Sequence, residues 1–221
     1  MGVGELFRGW RMPTAVALAG LVLALTWVAI GVHVHGWVTA FDAPTASWIE
    51  NSVHRSHGLD EASLITERLG NPVTVAAAAL IGGALLAWRA RSVRPGVVVI
   101  GTVGGAVLAR NAIGAIIYRP STEAEFQALP LLSTEHHPFP SGHVAGTGAL
   151  LGIIAVCIGV GRSRTMRALL AAFVVTGVVI VAFSRLYLGL HWLTDVVGGA
   201  LLAALLVVLG DAALRMRRRI V

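Results

Sequence analysis

The chain has 221 residues, 56% of them hydrophobic and only 13% charged, with a mean hydropathy of +0.80. So much apolar surface does not fit inside one soluble core, so a polytopic membrane protein is expected and an ordinary soluble domain is excluded. The formal net charge of +6 does not indicate nucleic acid, because the basic residues stand at the ends of apolar runs rather than in one patch interleaved with aromatic rings.

Six stretches are long enough to cross a hydrocarbon core about 30 Å thick, which takes roughly 20 apolar residues of helix. They are 13–33, 72–88, 95–118, 143–160, 168–188 and 192–210. The first has no small-residue cleavage site and is followed by five more, so it reads as a membrane helix rather than a signal peptide. Residues 34–71 are too polar to span and carry Asp42, Glu50, Asp60, Glu61 and Glu67. Within them Ala46, Ile49 and Val53, then Leu64, Ile65 and Leu69, fit either short amphipathic helices on the outer surface or a plain linker. Gly101 and Gly105, Gly142 and Gly146, and Gly148 and Gly152 have the small-xxx-small spacing that lets helices approach closely. The expected architecture is all-α: one domain over 1–221, a bundle of six transmembrane helices with short interfacial helices on the outer side.

All 17 basic residues are arginine, so any part usually played by lysine falls to Arg. With the N-terminus inside, twelve of the 17 lie on cytoplasmic segments, as the positive-inside rule requires. Both termini are then cytoplasmic and the chemically interesting residues lie at the outer face. The single Cys157 sits in an apolar stretch and permits no intrachain disulfide.

Ser141 follows Pro140 and opens an apolar run, so it reads as a helix N-cap with Gly142 and His143 in the first turn. A helix start offers free N–H groups and a positive dipole end, and glycine lets an anion approach the backbone. An ordinary helix start has the same appearance. His191 and Asp195 are four residues apart at the start of the sixth stretch, on one helical face. The carboxylate can hold one imidazole nitrogen and leave the other as a nucleophile; a structural His–Asp pair is the plainer alternative. Ser184 and Arg185 end the preceding stretch, and the short connection keeps Arg185 near His191. Arg119-Pro120 closes the third stretch on the same face. Arg110 lies within it, where a guanidinium must turn to a polar interior. Arginine also suits the clamping of phosphate oxygens. His136 and His137 invite a zinc reading, but adjacent histidines without cysteine partners make poor ligands. They read as solvated loop residues or as a contact to a second phosphate, and Glu123, Glu125 and Glu135 in the same loop read as solvated.

With these residues in place, the chain resembles the type 2 phosphatidic acid phosphatase family of membrane phosphatases. That family's pattern is a lysine followed after six residues by Arg-Pro, then Pro-Ser-Gly-His, then Ser-Arg, five residues, His, three residues and Asp. Pro140, Ser141, Gly142 and His143 match the second part in full, and Ser184, Arg185, His191 and Asp195 match the third. The first part keeps Arg119-Pro120, but Ala112 stands where the lysine belongs, and Arg110-Asn111 lies two residues earlier. Seven helical residues turn about 700° and return to the same face, whereas nine turn about 900° and end opposite. Arg110 therefore reaches the site only if the helix bulges or unwinds near Gly114, or if Arg119 lies beyond the helix end.

The resemblance, over residues 72–210, implies a two-step hydrolysis without metal or other cofactor. His191 is the nucleophile, Asp195 orients it, and His143 protonates the departing oxygen and later activates water. Arg119, Arg185, Ser141, Gly142 and Arg110 hold the phosphoryl oxygens. It implies a lipid phosphate as substrate, a polyprenyl (undecaprenyl-type) diphosphate before phosphatidylglycerol phosphate or phosphatidate, at the outer, periplasmic face of the cytoplasmic (inner) membrane. A lipid phosphotransferase using the same phosphohistidine is the second enzyme reading. A non-catalytic lipid-phosphate transporter is the third, and the complete set of catalytic residues speaks against it. No nucleic-acid partner is expected, and the oligomeric state is unread.

Overall fold

Long apolar runs closed by arginine or a polar cap determine the helix ends. The computed structural model describes residues 12–54, 56–120, 122 and 138–216, so His136, His137, Glu123, Glu125 and Glu135 lie outside the described residues. Among the described residues the regular elements are all helical. Six helices are long and apolar enough to cross a membrane: α1 (Met12–His33), α4 (Pro72–Ala90), α5 (Arg94–Ile116), α6 (Gly142–Gly159), α7 (Arg164–Tyr187) and α8 (Leu193–Met216). Most of the sequence boundaries agree to within a few residues; α8 runs on to Met216, past its expected end at 210, and α7 starts earlier than expected because Ser163 caps it, accepting from the Met166 N–H at 3.2 Å.

The connection from α1 to α4 is helical rather than a plain linker. A short 3₁₀ turn (Trp37–Phe41) leads into α2 (Asp42–Ser52), and α3 follows (His57–Gly70). Ser56 caps α3 through the Leu59 N–H, while Asn71 accepts from the Val73 N–H at 2.9 Å and Pro72 opens α4. Leu64, Ile65 and Leu69 are exposed on α3, which suits a helix lying on a bilayer surface. The other end of that surface is tied down by Tyr187 at the end of α7, whose hydroxyl donates to Asp60 of α3 at 2.8 Å.

Burial is inverted relative to a soluble protein: large apolar side chains of α7, such as Leu169, Phe173 and Val179, face outward, as they do against lipid. The interior core joins α4, α5 and α6 through Val75, Ala79, Val99, Val103, Ala149 and Ile153. Helix α8 lies close against α6 because Gly148 and Gly152 carry no side chain. A Cβ at Gly148 would stand 2.8 Å from that of Ala203. Gly101 faces open space, so its spacing to Gly105 brings no helix near it. The ends of α5, α7 and the starts of α6 and α8 meet α2 and α3 on one side of the bundle, and the candidate site is built there.

Candidate active site

The segment before α6 is anchored from beneath. Phe139 is fully buried against Val28, Val32 and Ile117, and α8 fits under it only because Gly198 and Gly199 leave room. A Cβ at Gly199 would lie 2.7 Å from the Ser141 carbonyl oxygen. That closeness lets the Ser141 N–H donate to the Asp195 carbonyl at 2.9 Å, joining the two sequence motifs through backbone. Ser141 occupies the N-cap position as expected, but its side chain accepts no helix N–H; the hydroxyl is buried and has no hydrogen-bond partner. The hydroxyl is thus a buried polar group beside the first turn of the helix that its own helix does not satisfy.

The third motif is arranged differently from its expected form. Ser184 turns back to its own helix, its Oγ donating to the Val181 carbonyl at 3.1 Å, and Arg185 is almost wholly buried. The chain then turns through Gly189, at φ +67, where glycine removes the steric cost of the left-handed region. His191 lies in this connection, two residues before α8 begins, so the expectation that it shares a helical face with Asp195 is corrected. What joins them is a helix cap. Asp195 sits in the first turn of α8 and its Oδ2 accepts from the Trp192 N–H at 2.9 Å, the reciprocal half of a capping box. The same oxygen stands 3.5 Å from His191 Nδ1. The carboxylate is fully buried, and a buried charge needs partners.

Its cationic partner is Arg119. One Nη donates to Asp195 Oδ1 at 2.8 Å and to the Thr194 hydroxyl; the other donates to Asp42, at the start of α2. Asp42 in turn accepts from the Thr194 N–H and hydroxyl, each at 2.9 Å. Arg119 also lies 5.8 Å from the centre of the Trp192 ring, within cation–π range. Thus Arg119, expected to hold phosphate, is engaged by two carboxylates, Asp195 and Asp42.

Arg110 resolves the displaced first motif. Helix α5 runs on to Ile116 and the chain is extended from Ile117, φ −100 and ψ 98, so Arg119 lies beyond the helix end and the two arginines need not share a face. Arg110 Nε reaches the Pro140 carbonyl at 3.4 Å, and the same nitrogen is 3.4 Å from where a Cβ at Gly142 would be. Ala112 is exposed on α5.

A cavity of about 610 Å³ is lined by Arg110, Gly142, His143, Arg185 and His191. Both histidines and two of the three candidate guanidiniums therefore converge on one space. Asp195, Ser141 and Arg119 do not line it. The cavity continues between α4 and α5 along Val75, Ala106 and Val107, so a cationic end runs into an apolar channel. Chemically it offers two imidazoles, two permanent cations and a glycine backbone, which is the equipment for binding and transferring a phosphoryl group. Among the described residues no cluster of three or more His, Cys, Asp or Glu forms a metal site.

Residues 73–219 match the family model of the PAP2 superfamily. The chain belongs to the PAP2 superfamily. Membership makes it a membrane phosphatase in the broad sense, in keeping with its six apolar helices. A crystal structure described as the first transmembrane PAP2 type phosphatidylglycerolphosphate phosphatase from Bacillus subtilis has the same fold: the TM-score is 0.74 at 23% identity, covering 87% of this chain and 93% of that one. No curated protein matches the sequence. The superfamily match starts after α3, so two residues missed by sequence reasoning fall outside it. In the sequence Asp42 and Glu67 stand out only as two of the acids that make residues 34–71 too polar to span. Thr194 gave no signal beyond its place next to Asp195.

Proposed function

We propose that this PAP2 protein hydrolyses a lipid phosphomonoester or diphosphate through a phosphohistidine on His191. The observation that supports this best is the cavity itself, where His143, His191, Arg110 and Arg185 meet an apolar channel between α4 and α5. A phosphate group enters the cationic end while its hydrocarbon tail stays among the helices.

The steps follow from the positions of the side chains. Asp195 faces Nδ1 of His191, which directs the lone pair of Nε2 at phosphorus. The Nε2–P bond forms as the P–O bond to the lipid breaks, and His143 gives its proton to the departing oxygen. Water then attacks phosphorus, its proton passes to His143, the N–P bond breaks and inorganic phosphate leaves. Arg110, Arg185 and the Gly142 amide hold the remaining oxygens as charge builds on them. Arg119 acts from behind, holding Asp195. Because the cations of the cavity are guanidiniums, the phosphoryl charge is balanced without a metal ion.

The arrangement of arginines favours both termini on the cytoplasmic side and the cavity at the outer face of the cytoplasmic membrane. Polyprenyl diphosphate is the substrate proposed first. Phosphatidylglycerol phosphate is the second reading, favoured by the name of the structurally similar Bacillus protein. Phosphate release by the detergent-solubilised protein, measured with EDTA on a panel of polyprenyl diphosphate, phosphatidylglycerol phosphate and phosphatidate, tests both. EDTA is expected to leave the rate unchanged, with polyprenyl diphosphate turned over fastest. A faster rate on phosphatidylglycerol phosphate moves the assignment to that lipid, and no release from any of them contradicts the proposal.

A further inference from the structure

The cavity contains one feature that phosphate binding does not explain. Among its described lining residues Glu67 is the only carboxylate, and an anion beside a phosphate site weakens binding unless it serves another group. Its Oε1 stands 3.8 Å from His143 Nε2, and that nitrogen is buried and makes no hydrogen bond. Glu67 lies one turn before the end of α3, and the same face of α3 packs on the imidazole. A Cβ at Gly70 would come within 2.9 Å of His143 Cδ2, so only glycine permits this approach. The helix is fixed from both ends by Asn71, which caps α4, and by the Tyr187–Asp60 hydrogen bond.

We propose that Glu67 is a positioning residue for His143, the counterpart on α3 of what Asp195 is for His191. The inference rests on the reading of His143 as the acid for the leaving group. The carboxylate faces Nε2 and leaves Nδ1 as the nitrogen that delivers the proton to the lipid oxygen. It also stabilises the imidazolium between proton uptake from water and proton delivery. A separation of 3.8 Å is long for a hydrogen bond, but such contacts shorten when substrate occupies the site. The interfacial helix, outside the residues matched by the family model, is thereby part of the catalytic apparatus.

The test uses two substrates with the same hydrocarbon tail, one an alkyl phosphate and the other a nitrophenyl phosphate whose leaving group needs no proton. The readout is kcat/KM, which stops at phosphoenzyme formation. Glu67→Gln is expected to lose about 10-fold to 100-fold on the alkyl phosphate, within what general acid catalysis supplies, and to stay within about 3-fold of the parent on the nitrophenyl phosphate. Inorganic phosphate should inhibit the variant at an equal or lower concentration, since the described lining of the cavity has lost its one carboxylate. Equal losses on both substrates, no loss on either, or weaker phosphate inhibition overturns the role. His143→Ala run in parallel separates the two levels. If it shows the leaving-group signature and Glu67→Gln does not, only this inference fails; if it shows none, the reading of His143 fails first.

Discussion

Replacing His191 with alanine lowers phosphate release by at least about 10⁴-fold, because removing a covalent nucleophile leaves only binding and electrostatic assistance. The protein itself should survive the change. His191 lies in the connection before α8, its Nδ1 makes no hydrogen bond, and its ring is not part of the hydrophobic clusters that join the helices. A thermal melt in detergent should shift by no more than a few degrees. Phosphate release at the normal rate by this variant would remove the proposed nucleophile.

Asp195→Asn produces a different combination of losses. Its carboxylate accepts from Arg119 and from the Trp192 N–H and faces the His191 ring, so a neutral amide alters all three at once. Orientation of a catalytic imidazole by a buried carboxylate is worth about 10³ to 10⁴-fold in rate, and a similar loss is expected. In addition, an amide presents one acceptor oxygen where the carboxylate presented two, so either Arg119 or the Trp192 N–H loses a charged partner. That costs about 2 kcal/mol of stability, visible as a lower melting temperature. Activity and stability should therefore fall together in Asp195→Asn, whereas His191→Ala loses activity alone. If Asp195→Asn keeps full activity, the pairing of His191 with Asp195 is structural only.

Most of the fold was legible because a bilayer imposes strong rules on sequence. Hydropathy and flanking arginines placed six helices, most of their ends to within a few residues, and the interfacial helices were one of two open readings for residues 34–71. The motif residues were legible by type and order, and the structure brings His143, Gly142, Arg185, His191 and Arg110 to one cavity. What escaped was decided by tertiary contact. The spacing of His191 and Asp195 is the same in a helix and across a helix cap, and only the turn through Gly189 distinguishes them. Arg119 looked like a phosphate ligand because its partner Asp42 stands 77 residues away in sequence, beyond any local pattern. The N-cap at Ser141 was correct in position, yet its N–H is engaged by Asp195 of α8, an arrangement that depends on the bare backbone at Gly199. Arg110 became interpretable once α5 was seen to end before Arg119, the second of the two geometries the spacing allowed.

The central claim is that the phosphoryl group rests covalently on His191 during turnover. It is tested most directly by quenching the protein with base while it turns over a lipid substrate labelled in the scissile phosphoryl group, then locating the label by peptide mapping. A nitrogen–phosphorus bond survives base and is lost in acid. The account predicts an acid-labile label on the peptide that contains His191, absent from His191→Ala. Label on any other residue, or sustained phosphate release with no labelled protein at any quench time, would contradict it.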